Sequence, residues 1–191
     1  TLFPYTTLFR SFRTKRDLAI YCLGLAGARI EEILTIKKED YISSKGEIYI
    51  SESKTMCRWL YLNSEVCQII EDYLFTERDV VENKMGFVGV EAYLFINLNT
   101  GSRGKKVQQG NYRKILKRVG KNAGFNPEEI ITHAGRHTLT QQMLKLGYSN
   151  EDIRTVLGWN SEASIVYYRK KFDNDIAISA SKRINKRERG K

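Results

Sequence analysis

The chain has 191 residues, of which 41% are hydrophobic, and a formal net charge of +10. This length supports one globular domain with a core, and no apolar run reaches the roughly 18–20 residues of a membrane-spanning helix. Three cysteines without metal-like spacing and only two histidines argue against a disulfide framework and a His/Cys metal site, and favour a reducing cytoplasm.

The positive charge is concentrated in the second half of the chain. Residues 1–100 carry 12 Lys and Arg against 14 Asp and Glu, whereas residues 101–191 carry 20 against 8. This asymmetry is typical of a protein that binds a polyanion. A solvated basic surface explains the charge alone equally well.

Residues 1–11, TLFPYTTLFRS, resemble the in-frame translation of a sequencing-adapter oligonucleotide. They lack the charged start and continuous apolar stretch of a signal peptide. The predicted domain therefore begins at Phe12, and we expect the natural chain before it to be missing.

The first half of the domain is predicted to contain helices and a hairpin. Helical periodicity covers residues 14–26, up to Gly24 and Gly27, and a second short helix is predicted over 29–36. Residues 46–51 and 56–62 are rich in β-branched and aromatic residues and flank a polar segment, which predicts a β-hairpin. Asn63 or Ser64 would cap the next helix, whose apolar stripe is Val66, Ile69, Ile70, Tyr73 and Leu74.

The second half is predicted to be mostly helical. Residues 93–97 indicate a short strand before a turn-like segment, and a basic helix follows over 108–122. Three further helices are predicted at about 135–146, 150–157 and 162–171, and a basic, polar tail begins at Ser179. The predicted fold class is therefore mainly α with a small antiparallel β-hairpin (α+β). The outward basic side chains of the 108–122 helix are candidate DNA contacts: Arg113, Lys114, Lys117, Arg118 and Lys121.

The segment 132–170 contains a spaced set of polar residues. His133 and Arg136 lie three apart at a predicted helix start, where backbone N–H groups could also bind a phosphate. Leu157-Gly158-Trp159 follows, and Tyr168 comes nine residues after Trp159. His-x-x-Arg alone is weak evidence, but the combination resembles the C-terminal half of the tyrosine recombinases, the phage integrase family.

The resemblance extends upstream, over about residues 16–170. The segment AGARIEEIL (26–34) matches the family box that supplies the first arginine, Arg29, and SESKT (51–55) places Lys54 at the hairpin lysine. Trp159 occupies the position of the family's third-box histidine. The implied catalytic residues are Arg29, Lys54, His133, Arg136, Trp159 and Tyr168.

Several of these residues have ordinary structural interpretations. Arg29 could simply pair with a neighbouring glutamate, and Lys54 could be a solvated lysine of a turn. Glu32 is interpreted as structural and His137 as a packing or supporting residue. Tyr167 is the rival nucleophile, and we expect it to pack on the apolar side of its helix.

The resemblance implies DNA strand transfer through a 3′-phosphotyrosine, without metal, cofactor or ATP. Arg29 and Arg136 would neutralise the phosphate, His133 would exchange a proton with the phenol or bind the phosphate, and Lys54 would protonate the 5′ oxygen. Trp159 would donate an indole N–H. The implied partner is double-stranded DNA, bound as a homotetramer by a protein that is monomeric without DNA and is of prokaryotic or phage origin.

The implied domain organisation is a catalytic domain over 12–178 and a basic tail over 179–191, with an N-terminal core-binding domain absent. Two other functions use similar residues: a type IB topoisomerase-like or telomere-resolving enzyme, and a DNA-binding fragment that has lost catalysis.

Overall fold

The computed structural model describes residues 6–86, 89–126 and 134–188. The predicted fold class is confirmed, because the described chain is mainly helical and carries one small antiparallel sheet. The helices are α1 Thr6–Arg10, α2 Lys15–Leu25, α3 Ile30–Ile33, α4 Ser64–Asp72, α5 Asp79–Met85, α6 Gln109–Asn122, α7 Ala134–Lys145, α8 Asn150–Leu157 and α9 Ala163–Glu188. The strands are β1 Tyr41–Ile42, β2 Glu47–Ile50 and β3 Arg58–Tyr61.

Short polar side chains start several of the helices. The side chain of Thr14 accepts a hydrogen bond from the backbone N–H of Asp17 at the start of α2. Asn63 caps α4 by accepting from the Val66 N–H at 2.9 Å, and Ser149 forms a capping box with Asp152 at α8. Each cap satisfies an N–H group that has no partner inside its helix.

The sheet has the order β1-β2-β3 with antiparallel pairing. Ile48 on β2 pairs with both Tyr41 and Leu60, and Ile50 pairs with Arg58. Strand β1 was not predicted, because two residues are too few to show an alternating pattern. One face of the sheet is buried, and that buried face includes Arg58.

Three sequence predictions need correction. Residues 93–97 form isolated bridges, Lys37 to Tyr93 and Ile96 to Lys106, and no regular strand. The helix after Asn63, whose predicted stripe ended at Leu74, continues through a π-helical segment, Tyr73–Arg78, directly into α5, and no element was predicted beyond Leu74. Helix α9 runs on to Glu188, beyond the predicted end at 171, because no proline or glycine interrupts it.

The adapter-like segment also packs on the domain. Leu8 is 3% exposed, and the ring of Phe9 lies edge-on to Tyr21 at 6.2 Å. Apolar side chains next to a core are buried because this removes area from water.

Two apolar clusters hold the described chain together. The larger one surrounds α2, the sheet, α4 and α6. The smaller one consists of Met143, Leu144, Ile153, Leu157 and Ile165, with Trp159 and Tyr168 packed against it. Polar contacts between the two clusters form the site described next. None of the helices in the described ranges has the length and apolarity needed to cross a bilayer.

Candidate active site

Three arginines meet at the C-terminal end of α8. Gly158 ends this helix in the left-handed conformation, with φ 61° and ψ 52°, so the last carbonyls point away from the helix without intrahelical partners. Each carbonyl accepts from a different guanidinium: Arg58 Nε to Val156 O (3.1 Å), Arg136 Nη2 to Leu157 O (2.7 Å) and Arg29 Nη2 to Gly158 O (3.1 Å). Cations are stabilised there by the negative end of the helix dipole.

Glu32 supplies the carboxylate of this cluster. Its Oε1 accepts from Arg29 Nη1 at 2.7 Å and from Ser53 Oγ at 2.7 Å, and its Oε2 accepts from Arg58 Nη2 at 2.9 Å. Burial by itself would raise the pKa of Glu32, but the hydrogen bonds from Arg58 and from the Arg29 backbone lower the pKa to about 2. Glu32 is therefore ionised at neutral pH.

Arg136 is a buried cation held by two backbone carbonyls. Its residue is 5% exposed, and its two terminal nitrogens donate to Gly27 O and Leu157 O. Burial and repulsion from Arg29 and Arg58 lower the pKa of Arg136 to about 9, so it stays charged at neutral pH.

The charges of the cluster do not balance. Among the residues that the structure describes, the three guanidiniums surround a single carboxylate, Glu32, and helix α8 contributes only a partial negative charge. Removing cations from water without matching anions is unfavourable. The arrangement is therefore suited to receiving an anion such as a phosphate.

Tyr168 lies beside the arginine cluster. Its phenol oxygen contacts His137 Nδ1, and its ring is stacked on Trp159 with centroids 5.6 Å apart and an interplanar angle of 17°. The Arg136 guanidinium lies over the same Trp159 ring, 5.7 Å from its centroid. Burial raises the pKa of Tyr168, and Arg136 only partly offsets this shift. The phenol is therefore protonated at neutral pH, and attack requires a proton acceptor.

The neighbouring Tyr167 does not pack on the apolar side of α9, so that prediction is wrong. Tyr167 is 66% exposed, and its ring touches only the edge of Tyr168 at 5.9 Å among the ring contacts described. Consecutive helical residues point about 100° apart. Only one of the two tyrosines can face Trp159, and in the structure it is Tyr168.

The family of the chain follows from a sequence model. The model of the phage integrase family matches residues 6–175. The chain belongs to the phage integrase family. Transposase A from transposon Tn554 of Staphylococcus aureus is 24% identical, over 93% of this chain and 50% of that protein. Tyrosine recombinase XerA of Thermococcus kodakarensis is 27% identical, over 82% and 51%. The chain thus spans about half the length of these curated relatives.

Solved structures show the same fold. A crystal structure of XerA recombinase has a TM-score of 0.69 and 22% identity, over 86% of this chain and 57% of that chain. XerH recombinase in a post-cleavage complex with difH has a TM-score of 0.69 and 19% identity, over 92% and 50%. The phage integrase fold therefore accounts for nearly all of this chain.

The structure brings together four of the six residues that the family resemblance indicated: Arg29, Arg136, Trp159 and Tyr168. Lys54 lies at the edge, 83% exposed, with its ammonium 2.7 Å from a Glu31 carboxylate oxygen. The predicted His133 lies outside the described residues.

The loop that carries Lys54 is nevertheless anchored to the cluster on both sides. Ser53 donates to Glu32, and Thr55 donates to Gly158 O at 2.6 Å and accepts from Arg29 at 3.0 Å. Lys54 therefore projects from a fixed base into solvent, where its long side chain can change partner.

Two residues of the cluster were not predicted. His137 contacts the phenol directly, although it was interpreted as a packing or supporting residue. Arg58 was overlooked, because the residues that follow it, Trp59, Leu60 and Tyr61, show no alternation of polar and apolar types in the sequence. Arg58 and Leu60 alternate with the exposed Trp59 and Tyr61, so an arginine occupies a position where period-2 alternation places an apolar residue.

Proposed function

We propose that this chain is the catalytic domain of a site-specific tyrosine recombinase that cleaves and rejoins DNA with Tyr168 as nucleophile. The observation that carries the proposal is the excess of positive charge at the end of α8, directly beside the Tyr168 phenol. Family membership and the DNA-bound XerH structure support the choice of DNA as the polyanion.

A phosphodiester would supply the anion that the cluster lacks. The Arg29 side chain is 21% exposed. Arg136 extends from α7 and donates to Leu157 O, next to the Gly158 carbonyl that Arg29 binds. Two planar guanidiniums can bind the non-bridging oxygens and stabilise the charge that develops in the transition state. The indole N–H of Trp159 adds a further donor.

The proton transfers follow from the remaining contacts. Tyr168 oxygen attacks phosphorus and forms a P–O bond while the bond to the 5′ oxygen breaks. His137 is placed to accept the phenol proton, and His133 is the alternative acceptor. Lys54 leaves Glu31 and gives a proton to the departing 5′ oxygen. The product is a 3′-phosphotyrosine with a free 5′-hydroxyl, and the reverse steps rejoin a strand without ATP.

Helix α6 is proposed to contact the DNA backbone. Arg113, Lys114, Lys117 and Lys121 are exposed on it, whereas Arg118 is half-buried. Such contacts add affinity without reading sequence. Replacing Lys114 and Lys117 with Gln should lower the slope of log affinity against log salt by about 2. An unchanged slope would remove α6 from the interface.

The recombinase is proposed to be prokaryotic or phage-encoded and cytoplasmic, to assemble as a homotetramer on DNA and to be monomeric without it. These statements rest on the family resemblance. Light scattering with and without DNA measures the assembly directly.

Covalent capture tests the nucleophile. The probe is a pool of duplexes with a randomised central segment and a nick that lets the cleaved fragment diffuse away. We expect adducts from the wild type and from Tyr167→Phe, and none from Tyr168→Phe. Adducts that survive Tyr168→Phe and disappear in Tyr167→Phe would overturn the assignment.

Two other outcomes identify the alternative functions. Bound DNA without any adduct would indicate a DNA-binding fragment. Relaxation of supercoiled plasmid without recombinant product would favour a topoisomerase-like enzyme.

A further inference from the structure

We propose that Arg58 is a positioning residue that sets the geometry of Arg29 and Arg136 without touching the DNA phosphate. This inference rests on the proposed function and identifies a residue that the family resemblance did not assign. The geometry that supports it lies entirely within the described residues around the end of α8.

Arg58 is itself saturated with protein acceptors. Its side chain is 6% exposed. Nε donates to Val156 O, Nη1 donates to Glu32 Oε1 at 3.2 Å and to Met56 O at 3.5 Å, and Nη2 donates to Glu32 Oε2 and to Gly27 O at 3.4 Å. A guanidinium has five N–H groups, so these five contacts leave none for a phosphate.

The partners of Arg58 are also partners of the two active-site arginines. Glu32 binds both Arg58 and Arg29, and Gly27 O accepts from both Arg58 and Arg136. A displacement of the Arg58 guanidinium would therefore move the acceptors that orient Arg29 and Arg136.

Arg58 also supports the turn that ends α8. A Cβ atom built on Gly158 would lie 2.6 Å from Arg58 Nη1 and 2.9 Å from its Cζ. The glycine of Leu-Gly-Trp thus lets the backbone rest directly on the guanidinium. This contact fixes the position of the carbonyls of Leu157 and Gly158, which Arg136 and Arg29 bind.

Arg78 provides a matched control because it is also a buried arginine that pairs with a carboxylate and donates to backbone carbonyls, but at a distant place in the fold. Its residue is 2% exposed, its Nε donates to Glu82, and its terminal nitrogens donate to the carbonyls of Glu91, Tyr93 and Leu94. None of these described contacts includes an active-site arginine. Arg78 therefore represents a buried arginine with a structural role alone.

The first experiment compares Arg58→Lys with Arg78→Lys at saturating DNA and equal folded fraction. We expect Arg58→Lys to slow single-turnover adduct formation on the nicked duplex pool by about 100-fold, since small displacements of positioned groups have effects of this size. Arg78→Lys should change it by less than about 3-fold. Equal effects of both substitutions would overturn the positioning role while the proposed function stands.

A double-mutant cycle asks whether Arg58 acts through Arg29. In an Arg29→Lys background, Arg58→Lys should slow cleavage by clearly less than about 100-fold, because one of the two groups that it positions is already altered and only the effect through Arg136 remains. Arg78→Lys should have the same small effect in both backgrounds. A full 100-fold effect of Arg58→Lys in the Arg29→Lys background would contradict the inference.

A charge-neutral pair covers the case in which Arg58→Lys does not fold. The double variant Arg58→Met with Glu32→Gln removes both buried charges together, which proteins tolerate far better than the loss of one partner. Because Glu32 also binds Arg29, the reference is Glu32→Gln alone, and we expect the double variant to fold and to form adducts more slowly than both the wild type and that reference. Wild-type cleavage by this variant would overturn the proposal.

A binding measurement separates this proposal from the proposed function. The dissociation constant of inorganic phosphate is measured by titration for the wild type, Arg58→Lys and Arg78→Lys. We expect phosphate binding to weaken by about 10-fold in Arg58→Lys and to stay unchanged in Arg78→Lys, because the guanidinium donors of Arg29 and Arg136 would be misplaced in the first variant only. This result without any DNA adduct would retain the positioning role and reject the recombinase function. Equal binding by all three proteins would reject the positioning role.

Discussion

Replacing Gly158 with alanine should damage both stability and cleavage, and Gly147 is its matched control. Both glycines follow a helix with positive φ, 61° for Gly158 and 80° for Gly147. A Cβ atom on Gly147 would meet nothing within 4 Å, whereas one on Gly158 would lie 2.6 Å from Arg58 Nη1. Comparing the two alanine variants therefore separates the effect of an unfavourable backbone conformation from the effect of a collision with the Arg58 guanidinium.

The expected magnitudes follow from these contacts. Alanine in the left-handed region costs about 1–2 kcal/mol at either position, and overpacking against the fixed Arg58 adds about 1–3 kcal/mol at Gly158 alone. Ordinary contact begins near 3.4 Å, so the guanidinium would retreat by about 0.8 Å. A shift of this size should slow cleavage by about 100-fold.

Urea unfolding measures the stability of both variants, with an unchanged m-value as the check that only stability has changed. Single-turnover adduct formation measures the chemistry. The reasoning would be refuted if Gly158→Ala and Gly147→Ala lost the same free energy of unfolding, within about 0.5 kcal/mol, and cleaved DNA equally fast.

Three further predictions concern other parts of the chain. The folded pKa of Glu32, about 2, lies below its ordinary value of 4.5, so its stabilisation is present above pH 4.5 and is lost as pH falls toward 2. The stability difference between wild type and Glu32→Gln should shrink by about 3 kcal/mol over that range, and a constant difference would contradict it. Gly135→Ala should destabilise the fold by about 2–3 kcal/mol, because its Cβ would lie 2.5 Å from the backbone oxygen of Gly24. Gly110→Ala, in open space, should instead gain up to about 1 kcal/mol in the same urea titration. Lys54→Ala should change stability by less than about 1 kcal/mol but slow cleavage at least about 100-fold. A 5′-bridging sulfur, which leaves without a proton, should restore the rate, and failure to restore it would exclude Lys54 as the proton donor.

Local patterns predicted a large part of the fold because they need no distant partner. The stripes of α2, α4 and α6 repeat every three to four residues, and Asn63 and Ser149 mark helix starts by capping chemistry. Strand β1 carries no such signal, since its two residues become a strand only by pairing with β2. Amphipathic stripes also did not predict that α4 continues into α5 or that α9 extends to Glu188.

The candidate site was predicted in part for a related reason. The resemblance to the tyrosine recombinases indicated Arg29, Arg136, Trp159 and Tyr168, and the structure brings these four side chains together around one helix end. Arg58 was overlooked because a single arginine in a strand has no recognisable spacing to a partner. His137 contacts Tyr168 across 31 positions of sequence, a separation that no local pattern can connect.

The order of the polar residues along the chain is a property of the sequence alone, and it was sufficient to indicate the family and to prefer Tyr168 over Tyr167. Tertiary structure decided what those residues do to one another. Three guanidiniums from separate segments reach successive carbonyls of α8, with Glu32 as their carboxylate, because Gly158 ends that helix and admits Arg58 beneath it. Charge balance and orientation depend on distances through space, which a linear pattern does not contain.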